Sequence, residues 1–176
     1  MKLSTLAALV GIAFMTATSG ASAGDPSKLN DLQIAHVAYT ADNIDIRYAH
    51  LALAISSNPQ VREFAKTMIR DHELVNQKAL ALLKKLKVGP QDNFLSRQLV
   101  KNSKALIDEM SKLRGKKFDR RYAANELAYH KAVNDLVANA FIPNIENAEV
   151  KALFKTGLQI FKAHEKHAEI MVKQLN

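Results

Sequence analysis

Cysteine and tryptophan are both missing from the 176 residues. Without cysteine there is no disulfide, no Cys-ligated zinc or iron–sulfur cluster, no thiol nucleophile and no acylated lipobox cysteine. Glycine (6) and proline (4) are scarce, which argues against the many tight turns of a β-sandwich or barrel. Neither a glycine-rich phosphate loop nor a nucleophile elbow occurs. After residue 23 no apolar run is long enough to span a bilayer. What is present is globular: 48% hydrophobic residues, 24% charged and a net charge of +8.

The first 23 residues read as an address rather than as fold. Met1-Lys2 is a short positive start, Leu3 to Thr18 carries no charge, and Ala21-Ser22-Ala23 is a small-residue cleavage site. This pattern predicts a secretory signal peptide cut after Ala23, with an uncleaved membrane anchor as the competing reading. The mature chain, 24–176, keeps one domain's worth of residues and enough length for its own core. Export without cysteine fits a bacterial periplasm. The excess of lysine is scattered over outer helix faces, so it predicts a solvated basic surface with weak attraction to anionic envelope surfaces. It does not predict a nucleic-acid site.

Hydrophobic periodicity predicts helices throughout. The first spans 30–56, with Leu32, Ala35, Tyr39, Ile46, Ala49 and Leu53 on its stripe. Asn58-Pro59 is an N-cap followed by a first-turn proline, opening a helix over 58–87. Gly89-Pro90 should stop it, with the glycine as left-handed C-cap. A shorter amphipathic helix covers 94–113. Two more long helices follow at 117–141, ended by Pro143-Asn144, and at 147–175. Gly157 costs ~1 kcal/mol against alanine inside the last helix and is read as allowing close helix packing. Two tight helical hairpins joined by a long 88–116 connection predict a ferritin-like four-helix bundle; a plain up-down bundle would need a short second loop.

The informative residues are polar ones on apolar faces. His72, His130 and His164 each sit on an inward stripe, and Asp45 shares a face with Ala38, Ala41, Ala49 and Ala52. All four fall within three residues of the midpoints of their predicted helices, a height offset of ~3–5 Å at 1.5 Å rise per residue. They should therefore form one central layer of a carboxylate and three imidazoles. That donor set suits one first-row transition-metal ion, such as zinc, copper or iron. Asp71, Glu126, Glu165 and His167 are placed to orient the imidazoles from outside. The pairs Met68/His72 and His167/Met171 could ligate copper or haem iron, but methionine on an apolar face reads as core. His36 and His50 read as surface groups.

Several stretches resemble an exported bacterial family, domain of unknown function 4142. They are Val61-Arg62-Glu63-Phe64-Ala65 running into Met68-Ile69-Arg70-Asp71-His72, Phe118-Asp119-Arg120-Arg121-Tyr122 running to His130, and His164 near the end. Asp45 stands where that family usually has a glutamate. The resemblance implies a ferritin-like bundle and an exported location, with no settled activity. Asp119 and Tyr122 read as structural: an acid in the first turn of its helix, where the dipole favours it, and a packed tyrosine. A di-iron centre is not expected, because Ile69 and Phe161 stand three residues before His72 and His164, where Glu-x-x-His motifs need glutamate. Two functions stay open: a binding module for one metal ion, or a non-catalytic structural or interaction protein of the envelope with a hydrogen-bonded polar core and no metal. Enzyme activity ranks third. The leader predicts a mature N-terminus at Gly24, and N-terminal sequencing from the native host that reads Met1 or Lys2 would reject it.

Overall fold

The computed structural model describes residues 24–176, and the chain is all-helical there. The expected leader, Met1–Ala23, lies outside the described residues. A 3-10 turn (Pro26–Lys28) leads into α1 (Asp31–Ile55), α2 (Pro59–Lys85), α3 (Phe94–Met110) and α4 (Gly115–Leu136). A π-turn (Val137–Phe141), the single turn α5 (Ile142–Asn144) and α6 (Ala148–Leu175) complete the chain. Among the described residues no helix is long and apolar enough to cross a membrane.

Asparagine starts four of the long helices. Asn30, Asn58, Asn93 and Asn147 each accept a backbone N–H of the first turn, and Asn30 and Asn93 complete capping boxes with Gln33 and Ser96. Each cap satisfies donors that the helix itself cannot. The stop after α2 differs from expectation. Lys87, not Gly89, takes the left-handed conformation (φ 57°), and Val88 N–H bonds Leu83 O. Gly115 is left-handed too (φ 54°) and begins α4 without a side-chain cap. Pro143 falls within the helical rod rather than after it. It has no N–H for the ladder, and the π-turn directly precedes its helical turn.

Contacts fix the directions of the long helices. Arg62 Nη1 donates to Leu53 O across the α1–α2 turn, so these helices are antiparallel. Arg120 donates to Leu175 O and Asn134 to Phe161 O, so α4 and α6 are antiparallel. Gln60 meets Gln174 while Lys85 meets Glu149, so α2 opposes α6. Ser56 meets Asp119 while Tyr129 Oη donates to Ala41 O, so α1 opposes α4. Hence α2 and α4 run the same way. The chain returns between them through residues 86–114, where α3 lies along α1, tied by Gln91 N–H to Leu32 O and Asn93 Nδ2 to Gln33 O.

The core has two parts. One surrounds Tyr48, Phe64, Met68, Phe118 and Tyr122; the other surrounds Ile34, Val37, Phe141, Ile145 and Val150. The α1 stripe expected from periodicity matches the buried face only in part: Ala35 and Ala49 are buried, the rest is rotated from it. Leu32, Tyr39, Ile46 and Leu53 are half-buried, while Ile34, Val37, Ala41, Ile44, Tyr48 and Ala52 are the innermost. Because α2, α3 and α4 all cover α1, it is apolar nearly all round and its phase is weakly marked. Asp119 also departs from its expected role. It lies in the second turn of α4, buried, and accepts the Ser56 hydroxyl at the α1–α2 corner. Asp119→Ala should leave that hydroxyl unpaired and cost about 1–3 kcal/mol. A urea midpoint unchanged from wild type would show that the corner does not depend on it.

Candidate metal centre

Between the two apolar clusters α1, α2, α4 and α6 each contribute a polar side chain. Asp45 from α1 is 0% exposed, and His72 from α2, His130 from α4 and His164 from α6 are buried with it. The imidazole centroids lie 5.4–5.8 Å apart. One ligating atom from each histidine falls within 4.8 Å of the others, and so do atoms of Asp45, Glu126 and His130. The three expected imidazoles thus lie together, and the expected Asp45 lies beside His72 and His130; the donors fall into two groups that share His130.

Each imidazole has one nitrogen tied outward. His72 Nδ1 lies 2.8 Å from Asp42 Oδ1, His130 Nδ1 donates to Glu126 O at 2.9 Å, and His164 Nε2 donates to Asp71 Oδ2 at 2.9 Å. The other nitrogen of each ring, namely His72 Nε2, His130 Nε2 and His164 Nδ1, is buried without a hydrogen-bond partner. Both Asp45 oxygens and Glu126 Oε2 share that state. Asp45 Oδ2 is 3.0 Å from His72 Nε2 and 3.3 Å from His130 Nε2, near enough for ion pairing but not aligned as hydrogen bonds.

Charge in the layer follows from burial and neighbours. Burial opposes a proton on His72, yet Asp45 and Asp42 outweigh it and raise this imidazole to about 10. Burial would raise Asp45, but the charge and close contact of the facing His72, foremost, hold it down at about 2. Asp42 is pushed up by burial, with its His72 bond opposing. Burial, then the Asp45 charge, lifts Glu126 well above its ordinary range. Burial lowers His130, and lowers His164 to about 4 despite Asp71. Asp71 itself is held low first by Arg70.

These states decide what the free nitrogens present. A carbonyl only accepts, so His130 Nδ1 carries its proton and the neutral ring turns a bare Nε2 lone pair toward ionised Asp45. His164, donating through Nε2 to an ionised Asp71, leaves Nδ1 bare in the same way. Lone pairs and a carboxylate gathered in a dry interior repel one another unless a cation lies among them; in the metal-free layer the protonated His72 fills that place, and a metal ion would have to displace its proton.

The outer residues divide. Asp71 orients His164 as expected. Glu126 is no outer partner alone: its backbone oxygen orients His130, while its carboxyl group enters the layer beside Asp45. Glu165 bonds Asn134 Nδ2 rather than a histidine, and His167 is exposed and sits edge-on to Phe64. Glu165 is turned about 100° from His164, and His167 lies about 4.5 Å further along α6. Asp42, missed in the sequence, is the acid that orients His72. Its signal was its position three before Asp45, on the same small-residue face.

A family model described as "Domain of unknown function (DUF4142)" matches residues 15–171. The chain belongs to this family. No curated protein matches it, and no solved structure does. In this DUF4142 chain the matched region spans all the layer residues.

Linkage sets the pH response of the metal-free protein. His72, raised from 6.5 to about 10, contributes stability that is complete below 6.5 and drains as pH climbs to 10. Asp45, lowered from 3.8 to about 2, contributes stability that is complete above 3.8 and is lost as pH falls toward 2. His72→Gln leaves buried carboxylates without their cation, a cost of about 3–5 kcal/mol. The stability gap between wild type and His72→Gln, read by urea unfolding without metal, should be widest between about pH 4 and 6.5. It should narrow toward pH 10; a constant gap would contradict the pairing.

Proposed function

We propose that this protein is an exported, ferritin-like four-helix bundle that holds one transition-metal ion for buffering, sensing or protection. The observation that carries the reading is the set of three inward imidazole nitrogens, buried without an aligned hydrogen bond, beside the Asp45 carboxylate, which in the metal-free protein is left with His72 as its counter-charge. Metal-ligating histidines characteristically bind an acceptor with their second nitrogen, and His72, His130 and His164 all do so. Asp45, His72, His130 and His164 would hold the ion, and Glu126 is placed as a fifth donor. Such a set suits zinc, copper or iron.

One ion fits better than two. The two candidate donor groups share His130, whose Nδ1 is committed to a backbone carbonyl. A single free nitrogen cannot serve both groups at once. Ile69 and Phe161, in place of the glutamates of a di-iron site, point the same way. The ferritin-like assignment is supported by opposed neighbours around the ring, by parallel α2 and α4, and by the long return carrying α3. Export rests on the pattern of Met1–Ala23.

The test is metal analysis of untagged protein, followed by unfolding with and without added zinc, copper or iron. One ion per chain is expected, with stabilisation of about 2.7 kcal/mol at a free ion concentration of about 100 Kd. His130→Ala should lower both metal content and that stabilisation. Equal destabilisation of the variant with and without metal would reject the reading and leave a hydrogen-bonded polar core.

A further inference from the structure

A cavity of about 50 Å³ lies beside the layer, lined by α1, α2, α3, α4, α6 and the π-turn. Its inner wall includes Asp42 and Phe161, which also touch His72: Asp42 by its carboxylate, Phe161 by stacking on the imidazole at 4.6 Å. None of Asp45, Glu126, His72, His130 and His164 lines it. Apart from Tyr39, Asp42 and Asn76 the wall is apolar or glycine.

Gly157 gives the cavity its meaning. It is buried in mid-α6, where glycine costs stability against alanine. Close helix approach, expected from the sequence, does not explain it. A Cβ there would meet only the Phe161 ring at 3.7 Å, ordinary contact, and no left-handed backbone angle requires glycine. What the glycine does is leave space. Ala38, Ala41 and Ala79 do the same on the facing helices, and Val137 and Phe141 of the π-turn close one side. Interiors normally fill such space, because a void forfeits contacts on every lining atom. π-turns frequently occur at functional sites.

Size and polarity select the occupant. The volume exceeds the ~30 Å³ share of a water but is about a third of the ~150 Å³ cavity that accepts benzene or xenon. A stable buried water needs two to four polar partners. Here Asn76 Oδ1, in a side chain 7% exposed, is the one wall atom that is both buried and unpartnered, Asp42 spends one carboxylate oxygen on His72, and the remaining wall is apolar or glycine apart from Tyr39, so the lining favours an apolar occupant over water. We propose that this cavity is a binding site for a small, uncharged, apolar molecule of diatomic-gas size, dioxygen being the natural class, seated against the outer side of His72. The site stands whether or not the layer binds metal.

Xenon under pressure tests it, in crystals or by xenon NMR, on the metal-free full chain. A single xenon between Val75, Val137 and Gly157 is expected, with no binding of benzene. Gly157→Ala should weaken xenon binding several-fold while the thermal midpoint holds or rises; Val75→Phe should abolish it. Xenon absent from the cavity, ordered water filling it, benzene entering it, or xenon affinity unchanged in both variants would each overturn the proposal. None of these readouts depends on metal content, so failure here and failure of the metal reading are separable.

Discussion

Asp45 is a carboxylate with no exposure at all, in the middle of an otherwise apolar interior. An isolated charge cannot remain in such a place. Everything around it answers that constraint. His72 takes a proton against the cost of burial, Glu126 gives up its charge, and alanines on α1 leave the room that both approaches need. The remaining two imidazoles stay neutral and bring lone pairs, which adds to the demand for a cation rather than relieving it.

The outward bonds explain how the rings keep their aim. Their acceptors come from three sources: the side chain of Asp42 on α1, the backbone of Glu126 one turn earlier on α4, and Asp71 on α2. Two of the three cross between helices. The orientation of the layer is thus a property of the helix assembly, not of any single helix. Loosening α1 from α2 would release His72, and loosening α2 from α6 would release His164.

The sequence was legible where one rule acted alone. The Asn58 cap and the four inward polar residues could be read, because capping and face are local properties. It was less legible where several neighbours share a surface. The α1 stripe was misjudged in part because three helices cover α1, and Gly157 looked like a packing glycine because sequence does not show what stands opposite. Asp42 escaped notice since an acid among alanines three residues from another acid resembles a solvated pair. Glu165 and His167 were placed near the layer by spacing along α6, but Glu165 is turned about 100° from His164, and His167, nearer in angle, lies most of a turn further along the axis, beside Phe64.

The polar layer also divides the interior into two hydrophobic compartments, one near the α1–α2 corner and one near the junction of α5 and α6. Alignment of the helices follows from that division. Sliding α6 by one turn would set Ile160 or Ala168 opposite Asp45 and drive His164 into an oily compartment, stranding a charge on one side and a ring nitrogen on the other. Leucine, methionine and phenylalanine tolerate such shifts among themselves, because greasy contacts are nearly interchangeable. A lone carboxylate with its imidazoles is not. The layer acts as a vernier, selecting one longitudinal setting of four rods that apolar packing alone would leave free to slip.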